Sequence, residues 1–145
     1  VIIVAYLITN VVLMSSFIII TRYATKEEVN KEPDVVVPAG DAKKGKALFD
    51  EQCSACHAME VIKHIKLGDD KGAAAPILGG VVNRKAGSTG FAFSKAMKGA
   101  GFNWTDKHLF AYLKNPGKHV PGNKMSFAGL ADEQDRANII AFLKG

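Results

Sequence analysis

Cys53-Ser54-Ala55-Cys56-His57 contains both cysteines of this 145-residue chain, with a histidine directly after the second. Two thiols at this spacing can add across the two vinyl groups of one haem, and the adjacent histidine is then placed to ligate its iron. A disulfide between them would waste the histidine and leave the chain with no other thiol chemistry. A structural zinc site would need further ligands, and His64, His108 and His119 show no second paired cluster at a zinc-finger spacing. The motif reads as covalent haem attachment, against the alternatives of zinc and a redox dithiol.

The residues around the motif are helical in pattern. Asp41, following Gly40, is a good N-cap for a helix that leads through Ala47, Leu48 and Phe49 into Cys53. Thr105 caps a second helix whose apolar side carries Leu109, Phe110, Tyr112 and Leu113, with Pro116 expected to stop it. A third runs from about Asp132 to Lys144, with Ile139, Ile140, Phe142 and Leu143 near its end. The connections between them are Gly-rich and carry no alternating strand pattern. The expected class is all-α, a small core to which a buried haem would add much of the apolar contact.

Toward the N-terminus the composition changes. Residues 1–20 (VIIVAYLITNVVLMSSFIII) carry no charge, and about 20 helical residues span roughly 30 Å, the thickness of a bilayer's hydrocarbon core. A secretory signal would have a shorter apolar run and a small-residue cleavage site. The reading is a single transmembrane anchor over residues 1–20. Asn10, Ser15 and Ser16 mark either a side facing another helix or polar positions tolerated in lipid. Residues 21–40 are polar, charged and interrupted by Pro33 and Pro38, and read as a flexible linker. Fully stretched, about 20 residues reach roughly 65–70 Å, while a coil averages nearer 25 Å. Val35-Val36-Val37 are an alternative resting point on a neighbouring protein. Residues 41–145 form the globular domain.

From Gly40 to Gly145 the chain resembles a class I cytochrome c of the mitochondrial and alphaproteobacterial type. The resemblance is carried by the CSACH motif, Pro76 within APILGGVVNRKAG, Gly90-Phe91, Trp104, Tyr112-Leu113-Lys114-Asn115-Pro116, Pro121 to Met125 with Phe127-Ala128-Gly129, and the closing Ile-Ala-Phe-Leu-Lys. With the apolar stretch before it, the chain is similar to the membrane-anchored cytochromes c of the c-y type. The resemblance implies a class I cytochrome c fold around one covalent haem c. Cys53 and Cys56 would hold the haem through thioethers, His57 would be the proximal iron ligand, and the Pro76 carbonyl would accept the other ring N–H of that histidine. Met125 would be the distal ligand. Its place in a Pro/Gly-rich loop far along the chain suits it to cross to the other haem face, whereas Met59 is only two residues from His57, Met14 lies in the anchor and Met97 suits core packing. Trp104 and Arg84 match positions near a haem propionate, and Tyr112 would lie beside the methionine. Gly45, Phe49 and Phe142 match the family's helix crossing and are structural.

Three features depart from the family pattern. Phe93 stands where a tyrosine is usual and Met97 where an asparagine is usual, so the polar network on that side is expected to be thinner. The loop from Ala58 to Ala75 is longer than the usual mitochondrial form, which loops accept at small energetic cost.

The formal net charge of +5 comes largely from lysines. By family analogy Lys63, Lys66, Lys85, Lys98, Lys118 and Lys124 flank the haem edge, where lysines steer a redox protein onto acidic partners. No aromatic–basic interleaving suggests nucleic-acid binding. A Met/His pair leaves no open iron position, which suits one-electron transfer rather than oxygen chemistry. The expected function is a membrane-tethered electron carrier, not an enzyme, passing electrons from a cytochrome bc complex to a terminal cytochrome oxidase or a photosynthetic reaction centre. Its alternatives are a fixed electron-transfer subunit of a respiratory supercomplex, or a haem enzyme or gas sensor with a labile distal ligand. Arg22 and Lys26 would favour a cytoplasmic domain by the positive-inside tendency. Covalent haem attachment in this kind of protein argues for the electropositive side of an energy-transducing membrane, in the periplasm or the mitochondrial intermembrane space, and takes precedence.

Overall fold

A computed structural model describes residues 30–59 and 70–145. Among the described residues five helices are defined at both ends: α1 (Ala42–Gln52), α2 (Lys95–Lys98), α3 (Asp106–Lys114), α4 (Pro116–His119) and α5 (Glu133–Leu143). Each begins where a short polar side chain takes up backbone N–H groups that the first turn leaves without partners. Asp41 accepts from Lys43 and Lys44, Ser94 from Met97, Thr105 from His108, Asn115 from Lys118, and Asp132 from Asp135.

Pro116 plays a second part beyond ending α3. The α3 helix stops at Lys114, Asn115 closes it and caps the next, and Pro116 occupies the first turn of α4. Proline suits that place because its missing N–H would have had no helical partner.

The core sits where α1 and α5 cross. Gly45 lies so close to the Asn138 carbonyl that a Cβ there would collide with backbone. Phe49 of α1 and Phe142 of α5 meet with ring centroids 5.3 Å apart and planes tilted by 54°. A side-chain bond strengthens the crossing, since the Asp41 N–H donates to Asn138 Oδ1 at 2.9 Å. Ile139, Ile140 and Leu143 are buried beside Leu109, Phe110 and Leu113 of α3.

Arg136, on the same face of α5, is fully buried. Its Nη1 donates to the carbonyls of Leu130, Ala131 and Asp132, its guanidinium lies 4.3 Å from the centre of the Phe110 ring, and Glu133 stands 3.6 Å from Nη2. It thereby gathers the turn entering α5 with a charge that the ring face and the carboxylate compensate. At Gly129, φ of 101° and the nearby Lys114 and Leu113 carbonyls let this turn return to α3. The Leu130 N–H then bonds the Leu113 carbonyl at 2.8 Å.

Two extended segments between α1 and α3 pair briefly. Lys85 and Asn103 form an isolated antiparallel bridge, flanked by Trp104 N–H to Arg84 carbonyl at 2.9 Å and Ala86 N–H to Phe102 carbonyl at 3.0 Å.

Residues 31–40 run along the domain. Val35 and Val37 pack against the core, Glu32 lies 4.0 Å from Lys107, and the Ala39 carbonyl accepts from Gln134 at 2.8 Å. Val36 points outward and is 88% exposed. Among the described residues no helix is long and apolar enough to cross a membrane. The expected anchor over residues 1–20 lies outside them, as do residues 21–29 of the expected linker.

Candidate functional site

The cysteine motif closes α1. Cys53 is the C-cap residue, and a turn carries the chain on through Cys56 N–H to Cys53 carbonyl at 3.1 Å and His57 N–H to Cys53 carbonyl at 2.9 Å. Both thiols are free, Cys53 buried and Cys56 exposed. Burial pushes the Cys53 thiol above its ordinary range, because the thiolate would lose hydration.

His57 is half-buried, and its Nδ1 lies 2.8 Å from the Pro76 carbonyl. A carbonyl only accepts, so Nδ1 carries a proton, and in the neutral ring the lone pair is then on Nε2. The Pro76 loop is itself held. Buried Asp70 accepts from the Ile77 N–H at 3.3 Å and from the Thr89 hydroxyl at 2.8 Å. Arg84 donates to the Ile77 carbonyl at 2.8 Å and the Gly79 carbonyl at 3.1 Å. Partial burial lowers the Arg84 affinity for its proton, and the Asp70 carboxylate acts in the opposite direction.

A second group of side chains gathers on α3 and the segments on either side of it. Trp104 is buried edge-on to Phe102 at 4.9 Å and to Tyr112 at 4.8 Å between ring centres. The Tyr112 hydroxyl reaches Asn123 Oδ1 at 3.4 Å, and the same oxygen accepts the Met125 N–H at 2.8 Å. Burial raises the Tyr112 phenol to about 12, so the ring stays neutral throughout the physiological range. Met125 is half-buried and packs against the core.

The expected site residues thus fall into linked sets. His57 joins Pro76 directly, Arg84 joins Trp104 through the backbone bridge, and Trp104 joins Tyr112, which joins Met125 through Asn123. Cys53, Trp104 and Tyr112 belong to one buried cluster. Lys85, Lys98, Lys118 and Lys124 are exposed, while Lys63 and Lys66 lie outside the described residues. Asp70 and Asn123 are supports that the sequence reading missed. A buried aspartate in a charged loop looks like a solvated one, and Asn123 becomes visible only through its partners.

The donor chemistry selects among the metal readings. Among the described residues no three His, Cys, Asp or Glu side chains converge on a metal position. Two free thiols at haem-attachment spacing, a histidine with Nε2 available, and a thioether on the core edge fit a covalent haem instead.

A family model described as "Cytochrome c" matches residues 42–145. The chain belongs to the cytochrome c family. It is 60% identical over 114 residues to a cytochrome c of Tetrahymena pyriformis, covering 79% of this chain and 96% of that one. It is also 43% identical over 113 residues to the "Cytochrome c-type cyt cy" of Rhodobacter capsulatus, covering 77% of this chain and 52% of that protein. The solved structure of cytochrome cH from Methylobacterium extorquens superposes with a TM-score of 0.62 at 41% identity, covering 72% of this chain and 98% of that one. As a cytochrome c family member, the chain is an electron carrier rather than an enzyme and takes one covalent c-type haem, for which Cys53 and Cys56 fit the attachment motif. Residues 42–145 carry the helical class I fold.

Proposed function

We propose that this chain is a membrane-tethered one-electron carrier that takes electrons from a cytochrome bc complex and delivers them to a terminal oxidase or a photosynthetic reaction centre. The observation that carries the redox part is the paired preparation of two ligands. His57 presents Nε2 because Pro76 holds its Nδ1 proton, and the Met125 backbone is fixed by Asn123. The tether rests on the uncharged run of residues 1–20.

In this reading Cys53 and Cys56 would anchor the haem, and His57 and Met125 would supply its iron ligands. Bound in this way, the haem supplies a one-electron couple with no open position for oxygen or substrate. The chain's own residues do the rest. Pro76 fixes the tautomer of His57 and makes its Nε2 a better donor. Neutral Tyr112 contributes a dipole and no charge beside Met125. Arg84 and Trp104 would favour the haem propionates, the one with a guanidinium and the other with an indole N–H. Exposed Lys85, Lys98, Lys118 and Lys124 attract an acidic partner, and the small docking area lets the pair separate after one electron passes. Exposed Val36 favours a second reading, a permanent seat on a larger complex.

Optical spectra of the purified holoprotein test the ligation. The oxidised form should show the far-red sulfur-to-iron band, and the reduced form should ignore carbon monoxide. Loss of the band together with carbon monoxide binding would sink the carrier reading. For the tether, the full chain should stay with membranes through an alkaline carbonate wash, and a chain starting at Asp41 should be soluble with an unchanged spectrum.

A further inference from the structure

The pair of buried His108 and half-buried His119 has no part in haem attachment or ligation, yet its placement connects it to the loop that carries Met125. His108 Nδ1 lies 3.1 Å from His119 Nε2. The His108 ring is stacked on Phe102 with centres 4.0 Å apart and planes within 5°, and it is 2% exposed. His119 stands edge-on to Phe102 at 5.5 Å and to Tyr112 at 6.1 Å. One ring is on α3 and the other ends α4, so their hydrogen bond ties the α4 turn to the α3 helix.

The α4 turn is what holds Asn123. Its side-chain amide donates to the Pro116 carbonyl and the Val120 carbonyl, each at 2.9 Å. Its oxygen then takes the Met125 N–H. Of the side-chain links from α3 into this segment, Tyr112 to Asn123 is long at 3.4 Å and the histidine pair is shorter. Geometry therefore runs from His108 through His119, the turn carbonyls and Asn123 to the Met125 backbone.

We infer that His108 and His119 are positioning residues for the distal ligand, a neutral hydrogen-bonded pair that holds the α4 turn in the register from which Met125 reaches iron. This rests on the assignment of Met125 as that ligand. The pair needs one nitrogen to donate and the other to accept, so the accepting ring must be neutral and the pair fails when both rings are charged. Burial lowers the proton affinity of both rings and so favours a neutral pair; His108 lowers that of His119 further, while Glu32 acts on His108 in the opposite direction. The charged or titratable groups facing the pair are Glu32, from the segment before α1 and close to Lys107, and the Tyr112 phenol of α3. Packing alone does not explain two polar rings here, since an apolar pair would fill the volume without two nitrogens needing partners.

The test uses the full-length holoprotein and follows the far-red band of the oxidised form as pH is raised until the methionine leaves. His119→Phe keeps an aromatic ring and removes the hydrogen bond. It should raise the methionine-off fraction about tenfold at a given pH, lowering the midpoint by about one unit, the effect of one lost hydrogen bond to a buried partner. His119→Gln, with a polar atom near the Nε2 position, should return the midpoint most of the way. His119→Asn, whose amide stops short of His108, should not. If His119→Phe does not accumulate, the Gln and Asn variants carry the comparison, and equal midpoints overturn the proposal. A native protein with the band and a His119→Phe variant with the native midpoint would overturn the positioning role and leave Met125 ligation standing. A native protein without the band would overturn both.

Discussion

The α1–α5 crossing and the segment from Asn115 to Met125 are held together by different physics. The crossing depends on close approach and apolar area: a glycine against a carbonyl, two phenyl rings, and a buried row of isoleucine and leucine. The 115–125 segment buries Pro116 and Val120, but its turns are fixed by polar side chains. Asn115, Asn123 and the histidine pair hold it through side-chain bonds to backbone carbonyls, N–H groups and one another. Damage to the first should appear as lost stability of the whole domain. Damage to the second should appear first at Met125, the proposed distal ligand, because its backbone position depends on the Asn123 bond.

The largest effect should come from Gly45→Ala. The added Cβ collides with the Asn138 backbone, which cannot yield without parting the two helices. A loss of about 3 kcal/mol is expected, near a 10–20 °C fall in Tm for a domain of this size. Before unfolding, the far-red band should keep its native intensity; early loss of the band would erase the contrast between the two regions.

A smaller effect is expected for Asn123→Ala, which leaves the Pro116 and Val120 carbonyls and the Met125 N–H each short of a partner. The cost should be about 1–2 kcal/mol in thermal unfolding, with disproportionate weakening of the far-red band. An unchanged band would show that apolar packing places Met125 without Asn123.

The smallest is a pH dependence. Burial holds His119 down at about 4 against an ordinary 6.5, so between these values the unfolded chain binds more protons than the folded one. Stability from this source is complete above about pH 6.5 and is lost as pH falls toward 4, with His108 acting in the same direction. The slope of unfolding free energy over this window should be shallower in His119→Gln than in the native protein. Equal slopes would mean that other groups set the acid limit.

Sequence patterning revealed the crossing better than the polar segment. Asp41, Thr105 and Asp132 could be recognised as caps because each precedes a helix long enough to show an apolar face. The four-residue helices α2 and α4 are too short for any period to register, and Asn115 serves two helices at once. Arg136 looks like a solvent-facing charge beside Asp135, and its burial depends on Phe110 and the turn carbonyls brought in by the fold. At the site, the cysteine motif declared itself, as did the His57–Pro76 pairing through the family resemblance. The His108–His119 bond did not, since eleven positions separate them and only the break at Asn115 turns one ring toward the other.

The docked stretch from Glu32 to Gly40 would, under the proposed tether, set a radius of action for the haem domain. With Glu32, Val35, Val37 and Ala39 engaged by the body, the proposed tether, if anchored at residues 1–20, would have only residues 21–31 left to span the gap. Eleven residues span at most about 35–40 Å, against roughly 65–70 Å for the whole linker fully stretched. Partners would then be chosen by height as well as by charge, favouring acceptors whose docking face lies within one domain diameter of the lipid surface.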